Sequence, residues 1–165
     1  MQIPKDEVLR SVSFGLTSGV ITALGMIVGL DTATNSRLAV ITGIVILAVA
    51  GGLADAIGWH SSDESRMKNG KPMYGEKQLW IITLLVFLSD FSFIASFIIP
   101  MIIFELKSAL LISIIWGMAL LIGLNIYIAK MQKKNVLSVV LQHVIIATIV
   151  LVVSYFAGMI IDILM

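Results

Sequence analysis

Apolar residues run along this chain in five long blocks: roughly Ser11–Leu30, Leu38–Trp59, Leu79–Phe104, Ala109–Ala129 and Val136–Leu164. Crossing ~30 Å of hydrocarbon takes about 20 helical residues at a rise of ~1.5 Å each, so every block predicts a membrane-spanning helix. None alternates polar and apolar residues over about ten positions, as a barrel strand would. The connectors Asp31–Arg37, His60–Gln78, Glu105–Ser108 and Lys130–Asn135 are short and carry most of the charges. Residues 1–165 therefore read as one domain, an all-α polytopic membrane protein of five transmembrane helices. The first block is interrupted by Gly, Ser and Thr and lacks a compact apolar core, which reads as a span rather than a cleaved signal peptide.

Composition supports the same class. Of 165 residues, 59% are hydrophobic and 13% charged, with a mean hydropathy of +1.05, against about 45–50% and about 25% in soluble domains. So few charges cannot cover a water-soluble core, which argues against a soluble enzyme, a nucleic-acid binder or a disordered scaffold. The absence of Cys removes disulfides, thiolate metal sites, iron–sulfur clusters and cysteine nucleophiles. Lys5, Arg10, Arg66, Lys68, Lys71, Lys77, Lys130, Lys133 and Lys134 all fall on one side of the five-span arrangement, and only Arg37 and Lys107 on the other. The positive-inside bias predicts a cytoplasmic N-terminus and puts Met165 outside. No phosphate-binding Gly–Lys loop, HExxH or Ser–His–Asp motif is present, so no enzyme is expected. The sparse basic connectors suit an inner leaflet better than nucleic acid.

Small residues are patterned within the first two spans. Gly15, Ser18, Thr22, Gly25 and Gly29 recur at spacings of 3, 4, 3 and 4, a single helical stripe that includes a GxxxG pair. Ala48, Gly51, Asp55, Gly58, Ser62 and Ser65 repeat the device in the second span. Such stripes admit a close neighbouring helix, in the same protomer or in a dimer partner. The short connector makes the two spans an antiparallel hairpin, with Ser18 and Asp55 at similar depth.

Two carboxylates lie inside spans, where a charge costs ~2.5–3.5 kcal/mol on insertion scales. Asp55 is one turn from the charged end of the second span. Asp90 is about 11 residues, or ~16 Å, into the third, at mid-bilayer, among Ser89, Ser92 and Ser96 and ahead of Pro100. Each reads either as an ion or proton site or as a hydrogen-bonded tie between helices. His60, Asp63 and Glu64 offer an imidazole-and-oxygen vestibule for a divalent cation, or simply a solvated helix end. Gln142 and His143 in the fifth span suggest interhelical hydrogen bonds, while Asn125, Tyr155 and Asp162 read as interface residues and the nine Met residues as packing.

The run Ser18-Gly19-Val20-Ile21-Thr22-Ala23-Leu24-Gly25, the following Val28-Gly29-Leu30, and Ala50-Gly51-Gly52-Leu53 with Gly58 and Ser62 resemble the vacuolar iron transporter family. Pro100 and the pair Tyr155 and Gly158 extend the resemblance more loosely. It implies a five-helix fold and a homodimer with a path between the first helices, exporting iron(II) or manganese from the cytosol in exchange for protons. Family members carry Asp where this chain has Ser18, Met where it has Asp55, and Glu where it has Trp59. Most also insert a Glu-rich metal-binding segment where only His60–Gln78 stand here.

Three readings follow. In the first, Asp55 binds a transported divalent metal ion with Ser18 and Thr22 oxygens assisting, since hard ligands suit manganese or iron(II). Asp90 or His60 then carries the exchanged proton, and Gly15, Gly25, Gly29, Gly51 and Gly58 form the packing and dimer stripe. The second is a non-transporting interaction or assembly protein that keeps the fold, and the third a proton-driven transporter of another solute. No resident cofactor is expected. The host membrane is the cell membrane in a prokaryote, or a vacuolar or other organellar membrane in a eukaryote.

Overall fold

The computed structural model describes residues 3–68 and 71–165. Met1, Gln2, Asn69 and Gly70 lie outside the described residues, as do the side chains of Pro72 and of Lys68 and Lys71, two of the lysines counted for orientation. Five helices are long and apolar enough to cross a membrane: Lys5–Thr34, Arg37–Glu64, Glu76–Ile103, Leu106–Met131 and Val136–Leu164.

The fifth helix matches its apolar block, and the other four begin before theirs because polar flanks cap a helix instead of ending it. Helix α1 (Lys5–Thr34) starts after Pro4 with Asp6 and Glu7 in its first turn, where carboxylates favour the positive end of the helix dipole. It ends at Asn35, whose φ of 43° is left-handed and whose N–H donates to the Asp31 carbonyl. Ser36 then caps α2 (Arg37–Ile46), its Oγ accepting from the Ala39 N–H. The first connector thus shrinks to two residues. The second span is not one uniform helix: α2 passes through a π turn, Leu47–Gly51, into α3 (Gly52–Glu64).

Beyond α3 a small antiparallel ribbon pairs β1 (Met67–Lys68) with β2 (Lys71–Pro72) in the register Met67↔Pro72. The third span breaks where Pro100 stands: α4 (Glu76–Ser96) stops and α5 (Ile98–Ile103) resumes. Pro100 has no N–H to give to Ser96, and its ring crowds that carbonyl. Helix α6 (Leu106–Met131) ends in a left-handed Lys133, with the Lys134 N–H returning to the Ala129 carbonyl. Asn135 caps α7 (Val136–Leu164) by accepting from the N–H groups of Leu137 and Ser138.

Helix α1 is the centre of the bundle and leans on α4 and α7 more than on its sequence neighbour. Leu16, Val20, Ala23, Leu24 and Ile27 fill the core with Ile44, Ile94, Phe97, Met101 and Leu121. The α1 stripe serves close packing inside the protomer. A Cβ on Gly15 would lie 2.8 Å from the Asp90 backbone nitrogen, and one on Gly25 2.7 Å from Val150 Cγ1. Gly29 faces the Ser154 backbone of α7. These three glycines therefore bring α4 and α7 onto α1, the kind of approach that drives helix association where no hydrophobic force operates.

Candidate functional site

Ser18 on α1 and Asp55 on α3 meet, the Ser18 hydroxyl donating to Asp55 Oδ2. Their depths match as the hairpin requires. Both are half-buried, at the outer surface of the protomer within the spanning region. Thr22, one turn along α1, is exposed on the same face. Its hydroxyl proton turns back to the Ser18 carbonyl at 2.8 Å, which leaves its lone pairs pointing outward. Gly58, one turn from Asp55, faces open space, and a Cβ there would meet nothing within 4 Å. Gly51 closes the π turn and its nearest neighbour is Leu47 of its own helix.

Asp90 is enclosed, with 1% of its surface exposed. Its carboxyl lies between two glycines: Oδ1 abuts Gly19 of α1, and Oδ2 is 3.2 Å from where a Gly52 Cβ would stand. Any side chain on Gly19 would occupy the space that Oδ1 fills. Oδ1 has no hydrogen-bond partner, while the neighbouring Ser89 donates to the Val12 carbonyl at 3.0 Å. Asp90 is thus an enclosed carboxyl in a slot made by α1, α3 and α4.

His60, Asp63 and Glu64 border one cavity, each held differently. His60 Nδ1 is 2.7 Å from Thr83 Oγ1, and Thr83 spends its only proton on the Leu79 carbonyl at 2.8 Å. Thr83 must therefore accept, so Nδ1 carries the imidazole proton and a neutral ring leaves Nε2 free. The ring also stacks on Trp80 at 4.4 Å. Asp63 is buried and committed, its Oδ1 2.5 Å from Arg10 Nη2 and 3.0 Å from Arg66 Nη1. Glu64 is exposed. With Tyr74, Glu76, Leu79 and Trp80 these three residues line a cavity of about 440 Å³. Among the described residues no three His, Asp or Glu side chains are grouped so as to hold a metal ion.

The guanidinium cluster around Asp63 escaped the sequence reading. Arg10 Nε also meets Glu7 Oε1 at 2.8 Å, and the Arg10 guanidinium covers the Trp59 ring at 4.4 Å. Arg66 lies 5.8 Å from the Tyr74 ring centre. Burial first, then Glu7, pushes the Tyr74 phenol up to about 12, against the pull of Arg66 and Arg10. The hydrogen bond to Asp63 likewise holds Arg66 more firmly protonated. A signal was available, since Arg10, Phe14 and Ser18 are spaced by four, as are Asp55, Trp59 and Asp63.

Two of the remaining polar residues bond within their own helices. Asn125, expected at an interface, is buried on α6 and donates to the Leu121 carbonyl at 2.8 Å. His143 Nδ1 sits 3.0 Å from the Val139 carbonyl of its own turn. Gln142, Tyr155 and Asp162 are exposed on α7. Searches against protein-family models and curated proteins return no match to this sequence.

Proposed function

We propose that this protein is a homodimeric divalent-cation transporter that binds iron(II) or manganese at Asp55 and moves it out of the cytosol in exchange for protons. The observation that carries the reading is the Ser18–Asp55 pair on an outward face at membrane depth, with Thr22 exposed beside it. A carboxylate on a lipid-facing surface costs ~2.5–3.5 kcal/mol, and covering it with protein or hydrated protein removes that cost. A second copy across a two-fold axis brings a second Asp55 to the same path, supplying the two acids that one protomer lacks. Hard oxygen donors from Asp55, Ser18 and Thr22 suit the cation. Asp90 carries the exchanged proton: its Oδ1 has no partner, and its slot borders Gly52 on the helix that bears Asp55. The charged end, with Arg10 and Arg66, faces the cytoplasm on the positive-inside bias.

The test is manganese and iron(II) flux in proteoliposomes under a proton gradient. Asp55→Asn abolishes flux of both ions, and Asp90→Asn uncouples flux from the gradient. Unchanged, proton-driven flux in Asp55→Asn overturns the assignment. That no three-residue cluster is found among the described residues favours the assembly-protein reading as the alternative. Absence of flux and of calorimetric binding at millimolar metal supports it instead.

A further inference from the structure

Helices α1 and α3 both lean on α4 and meet each other through side chains alone, in three rungs. The innermost is Ser18 to Asp55. Four residues nearer the charged end on each helix, Phe14 stacks on Trp59 with ring centres 4.7 Å apart. Four residues further, Arg10 bonds Asp63 at 2.5 Å while its guanidinium also caps Trp59. A spacing of four keeps each set on one face of its helix, so the rungs stack along the gap between the helices. The outermost rung is tied again by Arg66 to Asp63 at 3.0 Å and by Arg10 to Glu7 at 2.8 Å. The route from the charged end to Asp55 along this gap is therefore closed twice, by an aromatic pair and by an ion pair.

At the other end of α3 stands the π turn Leu47–Gly51, followed directly by Gly52. A π turn inside a spanning helix replaces regular i→i+4 bonding with a wider turn and is frequent at functional sites. The arm from Gly52 to Glu64 thus has an irregular turn at its inner end, side-chain ties to α1 at its outer end, and His60 against Thr83 of α4 as the hydrogen bond it must keep or break.

We propose that α3 is a hinged arm, latched to α1 by Phe14–Trp59 and Arg10–Asp63, and that releasing the latch opens Asp55 to water from the charged end. Its use as a gate rests on the transport reading above; its geometry does not. The latched state protects the Ser18–Asp55 pair. The released state pivots α3 at the π turn, parts the two rings and exposes the carboxylate.

The chain has no Cys, so a single Ser18→Cys reporter can be alkylated by a membrane-impermeant maleimide without background. In sealed vesicles with the charged end outward the latched reporter reacts slowly. Adding Arg10→Gln speeds it about tenfold, as loss of a charge-assisted bond requires. Asp63→Asn, the milder change, does so in the same direction. Equal rates in the parent, Arg10→Gln and Asp63→Asn reporters overturn the latch. A second arm joins the rungs covalently, with Phe14→Cys and Trp59→Cys oxidised to a disulfide. Flux then stops and returns with dithiothreitol, and undiminished flux through the oxidised pair overturns the gate while leaving transport standing. Absence of flux in the unsubstituted protein removes the transport reading, and the alkylation rates still decide the latch.

Discussion

Gly158 on α7 is where the packing of this bundle can be tested most sharply. A Cβ there would lie 2.5 Å from the Gly29 carbonyl oxygen, 2.8 Å from Thr32 Cβ and 3.2 Å from the Ala33 nitrogen. Two of these atoms belong to the α1 backbone and cannot swing aside, so Gly158→Ala must push α7 away from α1. Overpacking a tight contact costs ~1–3 kcal/mol, and the better helix propensity of Ala returns ~1 kcal/mol at most. The expected net loss is ~1–2 kcal/mol, near the upper figure because the clash is with main chain. Gly58→Ala is the control: it brings the same propensity gain with nothing within 4 Å to strike. Reversible unfolding in mixed micelles with rising SDS, followed by circular dichroism, compares the two at matched protein concentration. Gly158→Ala should unfold at lower SDS than the parent and Gly58→Ala at equal or higher SDS. If Gly158→Ala proves as stable as Gly58→Ala, the close approach of α7 to α1 is wrong.

Other outcomes follow from single contacts. The Tyr74 phenol, raised from 10.0 to about 12 chiefly by burial, favours the folded state fully below pH 10 and loses that contribution as pH rises towards 12. Ultraviolet difference titration against Tyr74→Phe should place the lost ionisation at about 12, and a midpoint near 10 would contradict the burial argument. Asp63→Asn should cost ~1–2 kcal/mol and not the ~3–5 kcal/mol of a fully buried pair, because Arg10 and Arg66 keep about a third of their surface in water. Glu64→Gln, on an exposed side chain of the same turn, should leave the SDS midpoint unmoved. Gly19→Ala should fail to assemble, since its Cβ would displace Asp90 Oδ1. Adding Asp90→Ala should recover part of the folded yield, and no recovery would mean that the carboxyl is not what fills the slot.

The five spans were legible because apolar length is dictated by bilayer thickness, and any sequence meeting it must show it. The Ser18–Asp55 contact was also within reach, because a short connector forces the hairpin and equalises depth. The limits of the fifth helix were legible too, but those of the first two were not. Asn35 and Ser36 end one helix and start the next through backbone and side-chain capping, which a hydropathy pattern does not register. His60, Asp63 and Glu64 share a cavity, as their closeness in sequence suggests, but not one ligand geometry. On a helix, neighbours i and i+1 diverge by about 100°, so Asp63 turns to the arginines while Glu64 turns to solvent.

The stripe in the second span is divided by its π turn, and the division bears on Asp90. Ala48, Gly51, Asp55 and Gly58 share a face only if the helix keeps 3.6 residues per turn throughout. The π turn at Leu47–Gly51 inserts one extra residue, which rotates everything after it by about 100° relative to everything before. Ala48 accordingly stays in the core while Gly58 ends in open space. The same rotation decides which glycine borders the mid-membrane carboxyl: Gly52, not the Gly51 of the regular stripe, stands against Asp90 Oδ2. A regular helix through this segment would turn Gly52 away from α4 and carry Asp55 off the face of Ser18. Both intramembrane carboxylates therefore depend on one irregular turn, and a change that restores α-helical bonding there should disturb both together.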